Sequence, residues 1–81
     1  MIRITLYGRA DCHLCHAMRQ VVDRVARDVR LEVEEVDVDT DPALQAAYGM
    51  EVPVLLVNGR KAFKYRSDVR SLQARLAREP G

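Results

Sequence analysis

Eighty-one residues, 48% of them hydrophobic, are enough for one modest core and a single domain spanning residues 1–81. A net charge of +1 argues against a dedicated nucleic-acid binder, and no stretch approaches the roughly 18 consecutive apolar residues of a membrane span. Two cysteines three positions apart close too short a loop to staple a fold, so their value must be chemical.

The chain opens on alternation: Ile2, Ile4 and Leu6 are separated by Arg3 and Thr5, which predicts a strand over 2–7 starting directly after Met1. That opening does not read as an export leader, so a cytoplasmic location is expected. Gly8-Arg9-Ala10-Asp11 reads as a loop whose Asp11 can cap a following helix. Leu14, Met18, Val21, Val22, Val25 and Val29 then recur at spacings of three and four, predicting a helix from about 13 to 29 with one apolar stripe. Residues 31–38 return to alternation, and the step Glu34-Glu35 breaks it in the manner of a bulge. A second helix has Asp41 as N-cap, Pro42 at its first position and Gly49 just past its end. Residues 52–57 predict a short apolar strand, and Asn58-Gly59 is the favoured two-residue turn into a partner strand at 60–65. Ser67 or Asp68 caps a last helix with Val69, Leu72 and Leu76 inward.

The order is strand, helix, strand, helix, strand, strand, helix, with no internal repeat, linker or low-complexity segment. A right-handed parallel crossover followed by an antiparallel hairpin gives an α/β fold: a mixed four-stranded sheet with helices on both faces. Charge is segregated along it. Residues 28–51 carry eight acids and one base, and residues 58–81 carry seven bases and two acids. Such runs serve either as solvated surfaces that differ in sign or as docking faces for a charged partner.

Cys12-His13-Leu14-Cys15 falls where the first loop becomes a helix, and a spacing of three puts both sulfurs on one helical face. At a helix N-terminus, unpaired N–H groups and the macrodipole favour negative charge and bring a thiol from a pKa of about 8.5 into the range of roughly 3.5–7.5. Cys12 is therefore the candidate attacking thiolate and Cys15, one turn deeper, the candidate resolving thiol. Other uses of these residues are weaker. Cys12, His13, Cys15 and His16 would have to supply a whole zinc site from one helix turn, where they point in different directions. Cys12-x-x-Cys15-His16 also matches haem c attachment, against the strand before the motif and the β-rich remainder. Two inert core cysteines leave the helix-start position unexplained. Asp37-x-Asp39-x-Asp41 resembles the opening of a calcium loop, but Pro42 and Tyr48 occupy its glycine and glutamate positions. The histidines suit a helix surface, and a protonated His13 would favour the Cys12 thiolate.

Together with Val52-Pro53 some forty residues later, these features resemble the thioredoxin superfamily and, within it, the glutaredoxin-like proteins, from Ile2 to about Leu76. The resemblance implies a thioredoxin-like fold, a cis-proline at Pro53 lying against the sulfurs, and a Val52 backbone that docks an extended peptide or glutathione. The chain lacks tryptophan, and Leu6 stands where thioredoxins carry a buried acid. Tyr7 and Arg9 match the aromatic and basic positions before the glutaredoxin cysteine, implying a groove-lining ring and a base for the glutathione carboxylate and the thiolate. Phe63 and Lys64 replace the Gly-Gly of glutaredoxins, and Asp68 is the nearest acid for glutathione's amino group, displaced by about one residue.

The implied activity is dithiol exchange on disulfides of proteins or small thiols. Catalytic Cys12 and Cys15 would be served by a substrate site of Arg9, Val52, Pro53, Tyr7 and Asp68. No metal and no tightly bound cofactor is expected; glutathione is a candidate co-substrate, and a reductase or redoxin the electron donor. A monomer without nucleic-acid or membrane partners is expected. The alternatives are a glutathione-assisted iron–sulfur cluster-binding relative and a non-catalytic binding module.

Overall fold

The computed structural model describes residues 1–80. Strand β1 (Ile2–Gly8) leads into helix α1 (His13–Val25), strand β2 (Leu31–Asp37), a 3-10 turn (Val38–Thr40) and helix α2 (Pro42–Tyr48). Strands β3 (Val54–Val57) and β4 (Arg60–Lys64) and helix α3 (Val69–Leu76) follow. The strands form one mixed sheet in the order β2-β1-β3-β4, parallel between β1 and β2 and antiparallel elsewhere. The architecture is the α/β arrangement expected from the element order.

Period-two alternation sorts β1 between two layers. Ile2, Ile4 and Leu6 join Leu55 and Val57 of β3 in a core closed by Met18, Val22 and Val25 of α1 and Leu72 and Leu76 of α3. Tyr7 points to the opposite face and stacks on Tyr48 of α2, ring centroids 4.4 Å apart and 14° from parallel. The helices therefore cover both faces, and β1 and β3 run through the middle.

Leu72 is fully buried in that core. Leu72→Ala is expected to cost about 2–5 kcal/mol, a large share of the roughly 5–15 kcal/mol that holds a domain together. A denaturant midpoint shifted by the equivalent of less than about 1 kcal/mol would mean that α3 is not a core layer.

Three local expectations are corrected. Helix α1 stops at Val25, four residues early: Arg27 and Asp28 make tight bonds to the Arg24 and Val25 carbonyls, and Val29 packs on the core from this turn. Leu14 lies outside the apolar stripe, 38% exposed; Cys15 takes its place ahead of Met18. No bulge interrupts β2, which pairs with β1 without a break from Leu31 to Asp37. Glu35 thus stays on the core side and neutralises itself on Arg19 of α1. The irregularity lies in the hairpin, where β3 shifts register between Leu55 and Leu56. Ala62 is the extra residue, and both it and Phe63 pack against the core.

The punctuation of α2 and the hairpin is local chemistry. Asp41 Oδ1 accepts from the Ala43 N–H at 2.8 Å, and Pro42 opens the helix. Asn58 and Gly59 have φ of 49° and 83°, the left-handed pair of a type I′ turn. Gly49 needs no such freedom, with φ at −54°. A side chain there would meet the Gln45 carbonyl oxygen at 2.5 Å and the Arg9 guanidinium at 3.2 Å, so glycine is required by close approach. The Val52–Pro53 peptide bond is cis.

Candidate active site

At the end of β1 the chain turns through a loop and enters α1 at Cys12. Cys12 is itself the N-cap: its backbone is extended, and its Sγ accepts the Cys15 backbone N–H at 3.1 Å. Asp11 does not fill that role and lies exposed. The sulfur occupies the position where a carboxylate or hydroxyl oxygen normally satisfies the orphan donors of a first turn. A thiolate at this atom gains the same N–H as a charge-assisted bond, together with the positive end of α1.

Cys15 lies one turn inside the helix and is buried, whereas Cys12 is half-exposed. The two are joined as a disulfide with Cα atoms 5.1 Å apart. Thus one cysteine of the pair is partly exposed and the other is buried.

Gly8 is a site residue that the sequence did not single out. A Cβ on it would lie 3.0 Å from Cys15 Sγ and 3.2 Å from Cys15 Cβ. The bridged sulfur cannot swing away, so Gly8→Ala is expected to destabilise the oxidised protein by about 1–3 kcal/mol through overpacking. The reduced protein, whose Cys15 side chain is free to turn, should lose less. Denaturant unfolding of both redox forms checks this; equal losses would show that the clash falls on the backbone.

Arg9 is firmly engaged. Its Nε donates to both Asp39 carboxylate oxygens, at 3.1 and 3.2 Å, and its Nη1 to the Gly49 carbonyl at 2.9 Å. One guanidinium therefore ties the loop bearing Cys12 to the end of α2, next to the segment leading to Pro53. The Arg9 bond, helped by the Gln45 amide, holds the Asp39 carboxyl below the ordinary carboxylate range. A depressed acid stabilises the fold above its unfolded pKa, and that contribution disappears as pH falls through the folded one.

Pairing of Tyr7 with Val54 brings the start of β3 beside the end of β1, so Val52 and Pro53 lie at the same end of the sheet as Cys12. Pro53 is buried, and its carbonyl accepts the Tyr65 N–H at 2.8 Å. Among the described residues the Val52 N–H and C=O have no backbone partner. Tyr7 is half-buried against Tyr48, and burial raises its phenol pKa, with smaller contributions from Tyr48 and Glu34. Asp68 caps α3, with Oδ1 accepting the Ser71 N–H at 2.8 Å and Oδ2 the Ser71 hydroxyl at 3.1 Å. These two bonds, the backbone one foremost, lower its pKa.

On the β2 side a cleft of about 300 Å³ reaches Cys15. Leu6, Gly8, Arg9, Ala10 and His16 line it, facing Glu35, Val36 and Asp37. The His16 ring is held by its Nε2 at the Ala10 carbonyl, 3.0 Å away. Among the described residues no group of three or more His, Cys, Asp or Glu is arranged to hold a metal ion, and no helix is long and apolar enough to cross a membrane.

Known proteins are similar to this chain in sequence and fold. A thioredoxin of Methanocaldococcus jannaschii is 34% identical over 65 residues, 76% of each protein. The X-ray structure of target protein XcR50 from X. campestris superposes with a TM-score of 0.77 at 38% identity, covering 95% of this chain and 99% of that one. Desulfothioredoxin of Desulfovibrio vulgaris Hildenborough, solved in its reduced form, gives 0.73 at 28% identity, covering 94% and 79%. The profile of the glutaredoxin-like domain (DUF836) matches residues 3–77. A thioredoxin-like fold with a bridged Cys-x-x-Cys at the start of its first helix, matched to that profile over nearly its whole length, makes the chain a member of the glutaredoxin-like domain family of the thioredoxin superfamily.

Proposed function

We propose that the protein is a dithiol thiol–disulfide oxidoreductase that reduces disulfides of proteins or small molecules. The observation that carries this is the asymmetry of the pair: a partly exposed Cys12 whose sulfur caps α1, and a buried Cys15 one turn below. The Cys12 thiolate attacks one sulfur of a substrate disulfide, whose other sulfur leaves and takes a proton. Cys15, once deprotonated, attacks Cys12 Sγ, expelling the second substrate thiol and closing the Cys12–Cys15 bridge. Two electrons have passed to the substrate. A dithiol donor, reductase or redoxin, returns them by the same exchange in reverse.

Val52 supports substrate docking through its unpartnered backbone groups, with Pro53 shaping the groove beside them. Arg9 serves as a positioning residue that holds the nucleophile loop against the Pro53 side. No tightly bound cofactor enters this chemistry. A reducing compartment such as the cytoplasm keeps such a pair ready to donate.

The test is a single turnover. Reduced protein mixed with a disulfide-bridged model peptide should release two peptide thiols per chain while its own two thiols disappear into the Cys12–Cys15 bridge. A peptide left intact at excess protein would overturn the assignment.

A further inference from the structure

The opposite charge runs of the sequence become opposite edges of the sheet. Strand order β2-β1-β3-β4 puts Glu32, Glu34, Glu35 and Asp37 on one edge and Arg60, Lys61 and Lys64 on the other. The central strands β1 and β3 carry the site, so the disulfide lies between a negative and a positive flank.

Many of these charges are already neutralised. Glu32 pairs with Arg3, Glu35 with Arg19, and Asp39 with Arg9. Lys61 and Lys64 share Glu51, at 2.7 and 3.7 Å, and Arg75 holds Glu79 at 2.8 Å. Arg66 and Arg70 are exposed and form no ion pair among the described residues. Their place in the fold is specific. Tyr65 is pinned by its N–H to the Pro53 carbonyl, and Arg66 follows it directly. Arg70 lies in the first turn of α3, near Asp68, whose two oxygens are taken by Ser71. Lys64 stands opposite Val54 at the start of β3, loosely held at 3.7 Å by Glu51.

We propose that Lys64, Arg66 and Arg70 form a cationic rim on the Pro53 side of the site that selects disulfide substrates bearing acidic side chains beside the reactive cysteine. The inference rests on the reductase assignment and adds a substrate class to it. A peptide docked along Val52 and Pro53 runs past this rim, where an Asp or Glu finds two unpaired guanidiniums able to bind it bidentately. A basic peptide meets like charge at the same point. Because the rim is exposed, its effect falls on encounter and orientation and is sensitive to salt.

The experiment uses two disulfide-bridged peptides that differ only in flanking residues, Asp and Glu in one and Lys in the other. Second-order rates with the reduced protein are measured in stopped flow and referred to those of dithiothreitol, which removes the peptides' intrinsic difference. The acidic peptide should be favoured about three- to tenfold at low salt, and the preference should collapse near 1 M salt, where the Debye length is about 3 Å. Double reversal, Arg66→Glu with Arg70→Glu, should invert the order. Arg60→Glu with Arg78→Glu, at the start of β4 and just past the end of α3, should leave it unchanged and controls for net charge and folding. Equal rates for the two peptides, or the same loss of preference in both double variants, would overturn the rim while leaving the reductase intact. Failure to reduce either peptide would instead overturn the reductase.

Discussion

Cys12→Ser is expected to abolish disulfide reduction, whereas Cys15→Ser should complete the first attack and stop there as a stable mixed disulfide. The two sulfurs differ in what surrounds them. Cys12 is half-exposed at the N-cap, where the Cys15 N–H reaches its sulfur at 3.1 Å and the helix dipole adds to it. Cys15 is 6% exposed, with Gly8 pressed against it, and burial disfavours its thiolate. An ordinary thiol of pKa about 8.5 is only a few per cent ionised at neutral pH, so donors that favour the thiolate at a helix N-terminus can raise the reactive fraction by about tenfold or more. Iodoacetamide should accordingly label Cys12 of the reduced protein at least about ten times faster than Cys15, with the mixed disulfide of Cys15→Ser visible by intact mass. Faster labelling of Cys15 would reverse the two roles.

What was legible in the sequence was local. Alternation at Ile2, Ile4 and Leu6 marked a strand because successive side chains face opposite sides, and Asn58-Gly59 marked a hairpin because few residues accept positive φ. Asp41-Pro42 announced α2 through an acceptor and a missing donor. The Cys pair could be assigned to a helix start by the switch of period alone. The features that escaped are contacts between distant segments. Nothing in the loop around Gly8 announces that Cys15 closes over it, or that Gly49 leaves room for Arg9 forty residues away. Leu14 satisfied the helical spacing, yet it belongs to the exposed margin of the stripe. Glu34-Glu35 resembles a bulge because two consecutive acids break the alternation. Arg19 supplies a partner that lets an acid remain on the helix-covered face.

Glutathione is expected to recycle the protein at least about tenfold more slowly than a dithiol donor at equal thiol concentration. Recognition of glutathione requires partners for two carboxylates and an amino group, and the family resemblance offers Arg9 and Asp68 for two of these. Both already hold partners within the chain, which glutathione would have to share or displace. Arg9 spends Nε on Asp39 and Nη1 on Gly49, and Asp68 spends both oxygens on Ser71. Phe63 and Lys64 lie in β4 where glycines would allow close backbone approach, so shape does not compensate. The cationic rim attracts the tripeptide's negative charge but offers nothing to its ammonium group. A hydrogen bond to a charged group contributes about 1.5–3 kcal/mol, so each one missing costs about ten- to hundredfold in affinity. A dithiol donor needs none of these contacts, because its second thiol resolves the mixed disulfide from within the complex at high effective concentration. Oxidised protein should therefore be recycled efficiently by a thioredoxin-type dithiol coupled to its reductase and NADPH, and poorly by glutathione with glutathione reductase, with no saturation in glutathione. Saturable turnover with glutathione at the dithiol rate would mean that Arg9 and Asp68 bind it beside, or in place of, their partners Asp39 and Ser71.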